Sequence, residues 1–166
     1  SYLLAVSSLV LVGGAMGDRF GIARIFSLGI LVFVAGSLAC AAALTPDQMI
    51  AARAAKGVGA AMMVPGSMAM ISRAYPREER GRALGLWAAA STLTTALGPV
   101  LGGMFVTWGG EVGWRLIFAL NLPLGLVALW LVHDRTPGDT GKPGVRVDVP
   151  GAVLATLSLG LMAWAL

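Results

Sequence analysis

Charge is scarce in this sequence. Only 12% of its 166 residues are Asp, Glu, Lys or Arg, against about 25% in soluble domains, while 57% are hydrophobic. That balance excludes a water-solvated globular fold over most of the length. Cysteine is reduced to Cys40, inside an apolar run, so no internal disulfide forms and the thiol says nothing of redox compartment. Histidine is also single, at His133. One His and one Cys far apart cannot build a metal site, and the acids fall mostly in polar connections. No serine stands in a Gly-x-Ser-x-Gly turn. Gly57-Val58-Gly59 lacks the preceding strand and the third glycine of a nucleotide-binding loop. The sequence therefore predicts no enzyme, no catalytic residue, no metal and no cofactor.

What it does have is apolar length. Ile25 to Leu44 runs without a charge, which meets the roughly 20 residues that a spanning helix needs. Six apolar segments, Tyr2 to Met16, Ile25 to Leu44, Met49 to Tyr75, Ala83 to Trp108, Leu116 to Val132 and Ala152 to Leu166, alternate with short polar punctuation. All six read as helices, since lipid admits no unpaired backbone. The expected connections are Gly17 to Arg24, Thr45 to Gln48, Pro76 to Arg82, Gly109 to Arg115 and the Gly/Pro-rich His133 to Gly151. Connections this short force neighbouring helices to be antiparallel. The fold class expected is an all-α integral membrane protein, with a bundle over residues 1–132, a linker over 133–151 and the start of a further span over 152–166. Ser1 opens directly into apolar residues with neither Met nor a basic leader, and the last run is about 15 residues, short of a span. Both ends read as cut.

The basic residues give the orientation. Arg19 and Arg24 lie in the first connection, Arg73, Arg77, Arg80 and Arg82 around the third, and Arg135, Lys142 and Arg146 in the fifth, whereas the second has none and the fourth only Arg115. Cytoplasmic loops retain Lys and Arg, so the odd-numbered connections are expected on the cytoplasmic side of a multi-pass protein of the cell (cytoplasmic, inner) membrane. The formal net charge of +4 then follows from topology, with the lipid bilayer as partner and no nucleic acid.

In the third segment Arg53 and Lys56 stand three residues apart and share one helical face. Counted from Asp47 at a rise of 1.5 Å per residue, Arg53 lies roughly 9 Å and Lys56 roughly 13 Å deep. A cation near the midplane costs about 2.5–3.5 kcal/mol on insertion scales, so Lys56 is expected to face a wet cavity or a partner; snorkelling to the outer surface is the alternative. The fourth segment carries Gly85, Ala88, Ser91, Thr92, Thr95, Gly98, Gly102 and Gly103, a smooth face for close helix contact, and Pro99 invites a bend. Asn121 within the fifth reads as a helix-packing hydrogen bond.

These stretches carry a resemblance. Gly14-x-x-x-Asp18-Arg19-x-Gly21, followed by Arg24, resembles the signature loop between the second and third spans of the major facilitator superfamily. The resemblance implies a gating loop of Gly14, Asp18, Arg19, Gly21 and Arg24 that latches two helical bundles together. Arg53, Gly57 and Gly59 are similar to the fourth-helix motif associated with proton coupling, with Lys56 where that motif usually has Gln. Gly98-Pro99-Val100-Leu101-Gly102-Gly103 resembles the fifth-helix motif of antiporters, and Trp114 to Gly125 is similar to the sixth helix of drug:proton antiporters with fourteen spans, the EmrB/QacA type. The set implies spans 2 to 6 and the start of a seventh, without the first span and second bundle of the same polypeptide. The function implied is proton-coupled efflux of drugs or other small amphipathic molecules, with small-molecule substrate and protons as partners and the proton gradient as energy source. A metabolite or sugar carrier of the same fold, and a non-transporting scaffold, are the alternatives.

Overall fold

A computed structural model describes residues 2–136 together with Gly151, Leu154 and Ser158. Five helices follow one another: α1 (Tyr2–Phe20), α2 (Ile22–Ala42), α3 (Pro46–Ala74), α4 (Arg77–Ala119) and α5 (Asn121–Arg135). Four helical stretches, Ile22–Ala42, Pro46–Ala74, Arg77–Gly110 and Val112–Arg135, are long and apolar enough to cross a membrane. No strand occurs among the described residues. Of the expected linker, positions 137–150 lie outside the described residues; Gly151, Leu154 and Ser158 are helical.

The connections are tighter than their polarity suggests. The loop expected over Gly17 to Arg24 contracts to Gly21, at φ 103, so Asp18 and Arg19 lie on α1 and Arg24 on α2. Helix also claims Arg77 to Arg82, because Pro76 serves as the N-cap while Glu78 and Glu79 occupy the first turn, where the helix dipole favours acids. The expected turn over Gly109 to Arg115 reduces to a break at Gly110, at φ 56. Pro99 leaves the helical dihedrals of α4 intact. The polar residues mark the end of a span but stay helical themselves, since Arg and Glu are good helix formers, and the backbone breaks at Gly21, Pro76 and Gly110. Leu120 divides α4 from α5 yet keeps right-handed helical dihedrals. Pro123 then falls in the first turn of α5, where no intrahelical partner for its nitrogen is needed.

The core is the crossing of α2 and α3. A Cβ added at Gly59 would sit 2.5 Å from the Phe33 backbone nitrogen, and one at Gly36 would sit 2.8 Å from that of Lys56. Contact without lipid between helices depends on this closeness, because lipid tails are as apolar as the side chains and supply no hydrophobic drive. Gly29 opposes Gly59, Met62 and Met63, while Gly36 opposes Lys56, so the two helices run antiparallel. Gly13 and Gly14 of α1 lie on Ala61 and Pro65 of α3, and Gly125 of α5 lies on Val34 of α2.

From Ala88 to Leu101, α4 is exposed throughout. Its Ser91, Thr92, Thr94 and Thr95 hydroxyls donate to the carbonyls of Trp87, Ala88, Ala90 and Ser91, and Thr107 donates to Gly103. These bonds satisfy the hydroxyls within the helix.

Candidate functional site

Lys56 reaches the site through the α2–α3 crossing. Once Gly36 and Gly59 bring the backbones together, its side chain is half-buried and its ammonium lies 4.6 Å from the ring centre of Phe33 and 5.1 Å from that of Phe118. Two aromatic faces on one cation stabilise it by about 2 kcal/mol or more where water is excluded. Arg53, one turn away on α3 and exposed, joins Phe33, Lys56, Gly57, Ala60 and Phe118 around a cavity of about 170 Å³. Gly57 is buried in the same wall. Gly59, read as a coupling residue, makes the helix crossing possible.

The aromatic cage was not legible in the sequence. Phe33 is one apolar residue in an uncharged run, and Phe118 one in another; the register fixed by Gly29, Gly36 and Gly59 turns Phe33 toward Lys56, and Phe118 arrives from α4. Beside the cage, Asn121 donates to the Ser37 hydroxyl at 3.2 Å, and Ser37 donates in turn to the Phe33 carbonyl at 2.8 Å. Ser37 is fully buried. The Arg115 guanidinium donates to the Ala41 carbonyl in the last turn of α2 and lies 4.5 Å from the Trp114 ring. These bonds bring the segment carrying Phe118 and Asn121 onto α2.

The residues expected to form the gating loop are not gathered at one point. Gly14 and Asp18 border a second cavity of about 170 Å³ with Gly13, Gly17, Pro65 and Gly66, whereas Arg24 lines a separate cleft with Ser27, Val132 and His133. Arg19 is exposed, 5.1 Å from the Phe20 ring, and Gly21 forms the buried corner between helices. On α4, a Cβ at Gly98 or Gly103 would meet nothing within 4 Å, and one at Gly102 only Ile117 at 3.7 Å. The antiporter-like stretch with Pro99 thus stands apart from Lys56. Among the described residues no group of acids, His and Cys could hold a metal ion.

Long apolar helices joined by tight corners, held through glycine contacts and enclosing buried polar groups, define a multi-pass α-helical membrane protein. Residues 1–165 match the family described as Major Facilitator Superfamily, and the chain belongs to it. It is 40% identical over 169 residues to the methylenomycin A resistance protein of Bacillus subtilis (strain 168), covering 99% of this chain and 35% of that protein. It is 38% identical over 165 residues to the cephamycin export protein CmcT of Amycolatopsis lactamdurans, covering 98% and 33%. Identity is 33% over 166 residues to the multidrug resistance protein Stp of Mycobacterium tuberculosis (strain CDC 1551 / Oshkosh), covering 99% and 30%. The chain thus spans about a third of the length of these relatives.

Proposed function

We propose that the polypeptide exports drugs or other small amphipathic molecules across the cytoplasmic membrane in exchange for protons, as an antiporter of the fourteen-span EmrB/QacA type. The observation that carries this reading is the similarity, along 98–99% of the chain, to proteins named for antibiotic resistance and export. A second support is chemical. Arg53 and Lys56 border one cavity on α3, and cations placed at depth in a span mark solute or proton pathways. Arg53 and Lys56 serve in coupling, with Gly57 and Gly59 fixing their helix. Gly14, Asp18, Arg19, Gly21 and Arg24 form a gate on the cytoplasmic side, and Gly98 to Gly103 face the second bundle. The role is carriage of a solute, with no cofactor beyond the proton gradient.

The test is proton release from acid-loaded proteoliposomes holding the full-length protein, reported by a luminal dye, on adding methylenomycin A or a cephamycin. Release in the wild type and its loss in Arg53→Ala support antiport and the coupling role of Arg53. Drug flux without proton movement removes the coupling; no flux of any compound by folded protein removes the export reading.

A further inference from the structure

We infer that the chamber around Lys56 receives the negatively charged end of an amphipathic organic anion, a carboxylate above all, and discriminates against organic cations. The inference rests on the efflux reading and specifies the class of compound exported.

Both ionised side chains at the chamber are positive. Arg53 and Lys56 border it together with Phe33, Gly57, Ala60 and Phe118. The described carboxylates stand at helix ends: Asp18 near the end of α1, Asp47 in the first turn of α3, Glu78 and Glu79 in that of α4, and Asp134 near the end of α5. Asp134 pairs with Arg135, far along the chain from Lys56. The rings of Phe33 and Phe118 approach the Lys56 ammonium but accept no strong hydrogen bond from it. An ammonium carries three donors and no acceptor, so its donors remain to be met from the cavity.

Ligand chemistry follows from those donors. A carboxylate supplies acceptors and the opposite charge, and the planar fork of Arg53, one turn away, suits its two oxygens. An organic ammonium would instead bring a like charge beside Lys56 and could accept nothing from it. The volume, about 170 Å³, equals five or six waters at about 30 Å³ each. It holds a carboxylate and the carbon bearing it, leaving the apolar body to lie along the Phe33 and Phe118 rings.

Binding of three fluorescent probes of one shape, naphthoate, neutral naphthamide and naphthylmethylammonium, to the full-length protein in lipid nanodiscs tests the inference. Naphthoate is expected to bind at least about tenfold tighter than the other two, a difference of about 1.4 kcal/mol. Lys56→Gln erases the preference and Lys56→Arg keeps it, each variant being first checked to melt as a folded protein. Tighter or equal binding of the ammonium probe, no binding of naphthoate, or a preference unchanged in Lys56→Gln overturns the inference. If Lys56→Gln does not fold, the three-probe ranking in the wild type decides alone. Energised accumulation in proteoliposomes is read separately: naphthoate bound while neither it nor any other compound accumulates sinks the efflux reading and leaves the anion site standing.

Discussion

A single methyl group at Gly59 is enough to test the crossing on which the Lys56 chamber depends. In Gly59→Ala the new Cβ would lie 2.5 Å from the Phe33 nitrogen, 2.7 Å from the Gly29 oxygen and 2.9 Å from the Phe33 Cα. All three are backbone atoms, so no rotamer change relieves them. Restoring contact near 3.5 Å requires α2 and α3 to part by about 1 Å. Overpacking of this kind costs about 1–3 kcal/mol, offset by up to about 1 kcal/mol because Ala favours helix over Gly. Taking the middle of each range, the net loss is about 1 kcal/mol, which lowers Tm. The assay is a thermal scan of the full-length protein in detergent, followed by tryptophan fluorescence. Gly81→Ala is the control: it also lies within a helix, but its Cβ would meet nothing within 4 Å, so it should hold or raise Tm. If Gly59→Ala melts at or above the wild type, the close crossing is wrong, and with it the placement of Phe33 over Lys56.

Four further outcomes are expected. Gly21→Ala forces a Cβ onto a backbone at φ 103 and ψ 130, which costs about 1–3 kcal/mol and should appear as a lower Tm; an unchanged Tm would mean that the corner takes another conformation. Asn121→Leu removes the bond to Ser37, worth about 0.6 kcal/mol on average for such pairs, and a double-mutant cycle with Ser37→Ala in denaturant unfolding should return a coupling of that size. Cys40 is 0% exposed, so a maleimide should label it only after unfolding in detergent, and rapid labelling of the folded protein would contradict the burial. Gly98→Leu should reduce transport by the full-length protein, since among the described residues no atom lies within 4 Å of a Cβ there and the face is left for the second bundle; unchanged transport would mean that it meets lipid.

The spans were legible because an apolar run such as Ile25 to Leu44 has one physical outcome in lipid. Helix ends were less so. Arg77 to Arg82 and Gly17 to Arg24 are polar because they leave the membrane, yet their residues still favour helix, and polarity alone cannot separate those two facts. At the candidate site, the placement of Arg53 and Lys56 on one face followed from spacing, and the bond expected of Asn121 has its partner in Ser37. Phe33 and Phe118 were invisible because a ring beside a cation is a property of register between helices. For Phe33 the signal lay in Gly29, Gly36 and Gly59, whose pairing sets the α2–α3 register.

The self-contained hydroxyls of α4 have a consequence for assembly. Ser91, Thr92, Thr94, Thr95 and Thr107 have each spent their donor on a carbonyl of their own helix, so the hydroxyls of α4 ahead of Gly110 leave the insertion machinery already satisfied. That stretch can rest in lipid whether or not a further surface comes to cover it.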